Sequence, residues 1–90
     1  MAWTIRLSNR AQQDVGKLDR GIAKRIYRFL FVRLAKAEDP RSIGDALHGS
    51  KLGEYWKYRV GDYRLVCKIE DDQLVILVLR VGHRREIYRR

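Results

Sequence analysis

The sequence predicts a single α+β domain over residues 1–90, in which a strand and a helical hairpin precede a three-stranded antiparallel meander (β-α-α-β-β-β). Three observations predict this class. Apolar and polar residues alternate near the N-terminus, and an apolar stripe at helical spacing follows. Three runs rich in β-branched and aromatic residues then occupy the second half of the chain.

The N-terminal half contains the first strand and both helices. Residues 3–7 alternate between apolar and polar side chains and predict a short strand. Asn9 followed by Gln12 resembles a capping box, which predicts a first helix over Arg10–Leu18. Asp19 can cap a second helix. The apolar stripe of that helix consists of Ile22, Ile26, Phe29, Leu30 and Leu34. This stripe is expected to lie on a sheet.

The C-terminal half predicts a loop followed by three strands. Pro40 ends the second helix within a few residues, and glycines mark a loop that ends near Glu54. The predicted strands are Tyr55–Val60, Tyr63–Ile69 and Leu74–Val81. Gly61-Asp62 is a two-residue hairpin signal, and Asp71-Asp72 is a weaker turn signal. The third strand is apolar on both faces, so it is expected in the sheet interior.

The first hairpin can be assigned residue by residue. If Gly61-Asp62 forms the whole loop, Arg59 faces Arg64 and Lys57 faces Val66. The predicted core face carries Trp56, Tyr58, Val60, Tyr63, Leu65, Cys67 and Ile69. The other face carries a set that we call the cationic platform, namely Tyr55, Lys57, Arg59, Arg64 and Lys68, with Val66 among them.

The facing pair Arg59 and Arg64 favours an anion-binding role for the cationic platform. Like charges directly opposite each other destabilise a sheet by roughly 0.2–1 kcal/mol. An anion between the two side chains would offset that cost. The alternative is a solvated face whose long side chains point apart into water. Four basic residues beside an aromatic one favour binding over the solvated alternative, and we expect Tyr55, Arg59 and Lys68 to contact RNA.

A second basic cluster follows the third strand. Residues 82–90 include His83, Arg84, Arg85 and Tyr88. Arginine can hold a phosphate through two parallel hydrogen bonds, and histidine or tyrosine can move a proton, so these residue types suit phosphodiester chemistry. The alternative is a frayed basic tail.

Composition limits the partners and cofactors. The net charge of +9 points to a polyanionic partner, with nucleic acid first and an acidic protein second. The basic residues are spread over both halves, including Lys24, Arg25 and Arg28 on the second helix, so charge alone does not locate a site.

Cys67 is the single cysteine and is expected in the core, and His48 is expected to be a loop histidine. No metal site or cofactor is predicted. With no signal-peptide pattern or spanning segment, we expect a cytoplasmic protein.

Two segments together carry a family resemblance. One segment is Tyr63–Val66, which follows a Gly-Asp turn, and the other is Val81–Arg89, which contains the pattern H-R-R-E-I-Y-R. Together they resemble the RelE branch of the RelE/ParE toxin superfamily. The predicted order of strand, helical hairpin and meander resembles the RelE-like fold over the whole chain.

The resemblance implies a toxin of a type II toxin–antitoxin system that cuts mRNA in the ribosomal A site without a metal ion. The ribose 2′-hydroxyl attacks the neighbouring phosphate. By position, Lys57 would support removal of the hydroxyl proton, and Arg64 would contact the phosphate. Arg84 would stabilise the transition state, and Tyr88 would stack on the substrate or protonate it. His83 could supply part of the acid–base function, so the roles of Lys57, His83 and Tyr88 stay open.

The same resemblance implies an antitoxin partner with an acidic, partly disordered segment that covers the cationic platform. The pair would bind DNA mainly through the antitoxin. The rival hypothesis is a ParE-like toxin that inhibits DNA gyrase without cutting RNA, since fold does not determine function. A gyrase inhibitor does not need the C-terminal histidine, arginine and tyrosine. A third option is a basic RNA-binding module without activity.

Overall fold

The computed structural model describes residues 2–47 and 55–86, and its order of elements confirms the predicted α+β architecture. The strands and α-helices are β1 (Thr4–Leu7), α1 (Asn9–Gly16), α2 (Arg20–Arg28), β2 (Asp45–Ala46), β3 (Tyr55–Val60), β4 (Tyr63–Glu70) and β5 (Val75–His83). A π-helical segment (Phe29–Leu34) continues α2, and short 3-10 helices span Pro40–Ile43 and Asp71–Gln73. Within the described residues, no helix has the length and apolar character needed to cross a membrane.

The first helix begins one residue earlier than predicted. Ser8 is its N-cap, because the Ser8 hydroxyl accepts a hydrogen bond from the backbone N–H of Ala11 at 3.0 Å. The same hydroxyl donates to the carbonyl of Leu79 at 3.0 Å, which ties the start of α1 to β5. Gln12 donates to the carbonyl of Leu7 at 3.1 Å. The predicted capping box of Asn9 and Gln12 is therefore wrong, because contacts with the sheet place Ser8 at the cap.

The second helix carries the predicted cap and apolar stripe. The Asp19 carboxylate accepts a hydrogen bond from the backbone N–H of Gly21 at 3.0 Å. Ile26, Leu30 and Leu34 on the stripe are completely buried. At the π-helical segment, the N–H of Ala35 donates to the carbonyl of Leu30, five residues earlier, at 2.9 Å. The helix that begins with α2 thus contains one wider, π-helical turn near its C-terminal end.

The sheet has five strands in the order β1-β5-β4-β3-β2. Strand β1 is parallel to β5, and the other neighbours are antiparallel. The predicted meander is β3-β4-β5, and β5 lies in the interior of the sheet, as predicted from its apolar sequence. Both helices lie against one face, and the buried residues there form the hydrophobic core. Its members are Trp3, Ala11, Val15, Ile26, Leu30, Leu34, Tyr58, Leu65, Cys67, Ile69, Ile76, Val78 and Val81.

Cys67 is completely buried in this core, as predicted. Burial raises the pKa of its thiol because the thiolate would lose its hydration. The side chain therefore acts as a small apolar residue and not as a nucleophile.

Strand β2 was not predicted, because it lies in the segment expected to be a loop. Gly44 allows it to approach β3: a Cβ atom at this position would lie 2.6 Å from the carbonyl of Lys57 and 2.7 Å from the Tyr58 ring. The Tyr58 hydroxyl donates to the carbonyl of Pro40 at 2.8 Å, and Trp56 Nε1 donates to the carbonyl of Arg41 at 3.1 Å. These hydrogen bonds, from side chains of β3 to backbone carbonyls distant in sequence, thus hold the segment before β2 against the sheet.

Candidate functional site

The strand register confirms the predicted faces of the first hairpin. Arg59 is paired with Arg64, Lys57 with Val66, and Tyr55 with Lys68. On the other face Tyr58, Leu65, Cys67 and Ile69 are buried against the helices. The cationic platform therefore lies on the face of the sheet opposite the helices.

A shallow hollow of about 120 Å³ lies at the centre of the cationic platform. It is lined by Asp45, Lys57, Tyr58, Arg59 and Arg64. Since each liquid water occupies about 30 Å³, the hollow has room for a phosphate-sized anion. Among the described residues, neither arginine has a carboxylate within 4.0 Å. Three cations therefore line this hollow, an arrangement that suits an anion.

The hairpin turn between β3 and β4 makes hydrogen bonds with both Arg64 and Arg84. Gly61 has a positive φ of 60°, which suits glycine at the first position of a two-residue turn. Arg64 Nη1 donates to the carbonyls of Gly61 and Tyr63, both at 3.0 Å. The backbone N–H of Arg84 donates to the carbonyl of Asp62 at 2.8 Å. The guanidinium of Arg64 and the backbone of Arg84 are thereby held at the turn, and the Arg84 side chain is exposed.

Asp45 is a candidate residue that sequence reasoning missed. Strand β2 pairs Asp45 directly with Lys57, so both side chains belong to the same face of the sheet. Among the described residues that line the hollow, Asp45 provides the carboxylate. A two-residue strand in a glycine-punctuated segment has no periodicity, so the sequence contained no signal for this pairing.

A β-bulge in β5 determines how the strand leaves the sheet. Val66 of β4 is paired with Arg80, and Cys67 is paired with Val78, so Leu79 has no partner on β4. Bulges bend a strand and redirect its side chains, often next to functional sites. The bulged residue Leu79 lies four residues before the last residue of β5, just before the segment that carries His83 and Arg84.

Asp14 of α1 stabilises the bulge. Its carboxylate accepts hydrogen bonds from the backbone N–H of Val81 at 2.9 Å and from Arg80 Nε at 3.1 Å. Arg10, one turn earlier, lies 3.5 Å from the same carboxylate. Burial by itself would raise the pKa of Asp14, but the hydrogen bonds from Val81 and Arg80 outweigh it and lower that pKa.

Arg80 is a second residue that sequence reasoning missed. The register places it in one row with Val66 and Lys57, on the side of the cationic platform. Its guanidinium donates a hydrogen bond to Asp14 of α1. A single charged residue in the otherwise apolar run Leu74–Val81 was the signal that could have identified it.

His83 lies on the opposite face from Lys57 and Arg64. It is paired with Tyr63 on the helix side of the sheet, and the two rings pack edge to face with centroids 5.5 Å apart. His83 Nδ1 accepts a hydrogen bond from the backbone N–H of Arg85 at 3.2 Å. The ring borders a separate cleft of about 330 Å³ beside α1. The structure therefore does not bring His83 into the hollow.

The remaining predicted site residues have different positions. Tyr55 and Lys68 lie at the end of the platform away from the turn, and Arg85 is exposed after β5. Tyr88 and His48 lie outside the described residues. Within residues 2–47 and 55–86, there is no group of three or more histidine, cysteine, aspartate and glutamate side chains that could hold a metal ion.

Comparisons with known proteins agree with this fold and length. Residues 5–88 match the family described as "ParE toxin of type II toxin-antitoxin system, parDE". Toxin RelG of Mycobacterium tuberculosis is 34% identical over 90 residues, which cover 100% of both chains.

Two solved structures show the same architecture. A chain of the toxin–antitoxin complex RelBE2 from M. tuberculosis superposes with a TM-score of 0.81 at 30% identity, covering 92% of this chain and 99% of that one. A chain of the intact Escherichia coli RelBE complex gives a TM-score of 0.74 at 23% identity, covering 91% and 96%. At that identity the second likeness shows the fold alone.

Proposed function

The chain belongs to the RelE/ParE superfamily of type II toxin–antitoxin toxins, and on that premise we propose that it is a ribosome-dependent endoribonuclease that cleaves mRNA in the A site. One observation carries the proposal: Lys57, Arg59 and Arg64 surround a phosphate-sized hollow, and Arg84 is held at the same hairpin turn as Arg64. This arrangement suits a single phosphate that is cleaved better than it suits contact with an extended RNA strand that stays intact.

The proposed reaction is attack of the ribose 2′-hydroxyl on its own 3′-phosphate. A bond forms between O2′ and phosphorus, and the bond from phosphorus to the next O5′ breaks. The products are a 2′,3′-cyclic phosphate and a free 5′-hydroxyl. Negative charge increases on the phosphate oxygens in the transition state, where Arg64 and Arg84 would donate hydrogen bonds to them. In this proposal the cationic side chains stabilise that charge without a metal ion.

We assign the removal of the hydroxyl proton to the pair Asp45 and Lys57. A carboxylate accepts a proton, whereas an ammonium group donates hydrogen bonds and stabilises a negative oxygen. Asp45 would therefore take the proton from O2′ while Lys57 holds the attacking oxygen. Tyr88 is proposed to protonate the departing O5′ or to stack on the substrate. Tyr55, Arg59, Lys68 and Arg85 are proposed to contact the RNA strand.

His83 has a smaller role in this proposal. Its ring lies on the helix side of the sheet and contacts Tyr63. Through Nδ1 it accepts the N–H of Arg85 and so orders the turn that carries Arg84. We therefore assign His83 to positioning of this turn and keep direct proton transfer by His83 as the alternative.

The proposed partner is an antitoxin with an acidic, partly disordered segment. The similar RelBE2 and RelBE structures are toxin–antitoxin complexes, and an E. coli RelE variant has been solved with an antitoxin peptide. By extension, an acidic segment would cover the cationic platform of this chain and block the hollow. Binding of DNA would be a property of the complex, mainly through the antitoxin.

A ParE-like function is the second candidate, because the matching family is described as a ParE toxin. In that case the chain would inhibit DNA gyrase and leave RNA intact. The shared fold does not exclude this function. The cations around the hollow favour the nuclease, since inhibition of gyrase does not require a phosphate-sized site.

One pair of assays separates the two candidates. The purified chain is added to ribosomes programmed with a defined mRNA, and RNA ends are mapped by primer extension. New ends within the A-site codon, produced only when ribosomes are present, are the expected result. An intact message together with loss of gyrase supercoiling activity would establish the ParE-like function instead. An intact message with unaffected gyrase would overturn both candidates.

A further inference from the structure

Strand β5 continues beyond the end of its parallel neighbour β1, and side chains of the α1 region hold it there. The pairing of β1 with β5 ends at Val78. Beyond that point the Ser8 hydroxyl donates to the carbonyl of Leu79 at 3.0 Å, and the Asp14 carboxylate accepts from the N–H of Val81 at 2.9 Å. Two side chains thus take the place of a neighbouring strand along the last part of β5.

The segment held in this way contains the β-bulge, which determines the register of the end of β5. Val78 and Arg80 pair with consecutive residues of β4, so Leu79 is the extra residue. Loss of the bulge would shift the following residues by one position and turn each side chain to the opposite face. Because Val81 is only 2% exposed, its N–H would lack a partner if Asp14 were absent, which is costly for a buried donor. The Asp14 carboxylate therefore favours the observed register.

The end of β5 leads directly to the residues of the proposed site. Gly82 is the cross-strand partner of Arg64, so the two residues share a face of the sheet. Arg84 follows two residues later, and its backbone N–H donates to the carbonyl of Asp62 at 2.8 Å. Since side chains alternate along a strand, the register at Gly82 determines the face toward which Arg84 is directed.

We propose that Asp14 is a positioning residue for Arg84. By holding the N–H of Val81, Asp14 keeps β5 in the register that directs Arg84 toward a phosphate bound by Arg64. Arg80 Nε donates to the same carboxylate oxygen at 3.1 Å and keeps that oxygen opposite Val81. Asp14 is not among the described residues that line the hollow, so it acts through the backbone of β5. The inference rests on the proposed nuclease function and deepens it.

The first test measures single-turnover cleavage on programmed ribosomes. Asp14→Ala removes the acceptor and is expected to lower the rate constant about 10–100-fold, because a small displacement of a catalytic group has an effect of that size. Asp14→Asn retains an oxygen that accepts the N–H of Val81, so we expect a loss of less than about fivefold. The affinity for ribosomes should stay within about twofold of wild type. Val15→Ala, which weakens the core packing of α1 and keeps the Asp14 carboxylate, is the matched control and should cut within about twofold of wild type.

Two further measurements separate positioning from a general loss of stability. In the Arg84→Ala background, Asp14→Ala should lower the rate by less than a further factor of about two, because the side chain that Asp14 positions is absent. Amide hydrogen exchange followed by NMR gives a readout that does not require cleavage. Protection of the Arg84 N–H should fall at least about fivefold in Asp14→Ala and stay unchanged in Val15→Ala.

Three results would overturn the inference. Asp14→Ala could cut at the rate of Val15→Ala. It could lose as much activity in the Arg84→Ala background as in wild type, which would show that Asp14 acts independently of Arg84. It could also lower only the affinity for ribosomes, which would indicate a contact with RNA. If wild type does not cut RNA at all, the nuclease assignment fails and amide exchange decides the positioning: reduced protection of Arg84 in Asp14→Ala supports it, and unchanged protection overturns it.

Discussion

Asp45 and Lys57 are direct cross-strand partners at the centre of the cationic platform. The pairing depends on the two-residue strand β2 and on the close approach of Gly44 to β3. It places a carboxylate among the three cations that surround the hollow. The hollow is thus lined both by a carboxylate, which is able to accept a proton, and by cations, which are able to hold a phosphate.

Asp45→Asn is expected to lower the rate of A-site cleavage by a factor on the order of 10²–10³, because the amide cannot accept the proton from O2′. Single-turnover cleavage on programmed ribosomes measures this rate. Glu38→Gln, which removes an exposed carboxylate outside the hollow, is the matched control. Cleavage by Asp45→Asn at the control rate would remove Asp45 from the mechanism.

Arg64→Ala and Arg84→Ala are each expected to lower cleavage by a factor on the order of 10²–10³, as loss of a donor to a developing charge does. The double variant should lose less than the product of the two factors, because both arginines act on one phosphate. The control is Arg20→Ala, which removes one exposed positive charge at the start of α2. If both single variants cut at the control rate, the assignment to these arginines is wrong.

His83→Gln is expected to lower cleavage by a factor of about ten or less, since the His83 ring lies on the face opposite Lys57 and Arg64. Glutamine retains a side-chain acceptor for the N–H of Arg85. The pH dependence of the cleavage rate provides the second measurement and should keep its wild-type shape. A loss as large as that of Arg64→Ala, with a changed pH profile, would show instead that His83 transfers a proton.

Asp14→Asn is expected to make the free energy of unfolding less dependent on pH in acid. The pKa of Asp14 in the folded chain is lowered from 3.8, so the carboxylate stabilises the fold above that value. The contribution is lost as the pH falls through the lower, folded pKa. Urea unfolding of wild type between about pH 5 and pH 2 should therefore show a steeper loss of stability than Asp14→Asn. Asp72→Asn, exposed in the turn before β5, should follow wild type.

Gly44→Ala is expected to destabilise the fold by about 1–3 kcal/mol, because the added Cβ would overlap the carbonyl of Lys57 and the Tyr58 ring. Gly16→Ala is the matched control, since nothing lies within 4 Å of its added Cβ. The control should be neutral or slightly stabilising. Urea unfolding followed by tryptophan fluorescence compares the two variants, and equal midpoints would contradict the close approach of β2.

The faces of the first hairpin could be predicted from sequence because two local rules determine them. A two-residue turn at Gly61-Asp62 determines which residues of β3 and β4 face each other, and side chains alternate along a strand. Together these rules placed Arg59 opposite Arg64 and Lys57 on the same face. The helical stripe of Ile26, Leu30 and Leu34 was equally local, because its spacing alone identifies the buried side of α2.

The tertiary structure alone decided the features that depend on contacts between distant segments. Strand β2 exists because residues 40–46 are held against β3, and no periodicity in two residues could indicate that Asp45 faces Lys57. The face of His83 depends on the bulge at Leu79, which Asp14 stabilises from a helix more than sixty residues away in sequence. The sequence by itself thus determined the order of the elements other than β2, together with the cationic platform, since turn length and side-chain period are local. The pairing of Lys57 with Asp45 and the face on which His83 lies were decided by long-range packing, which no local pattern records.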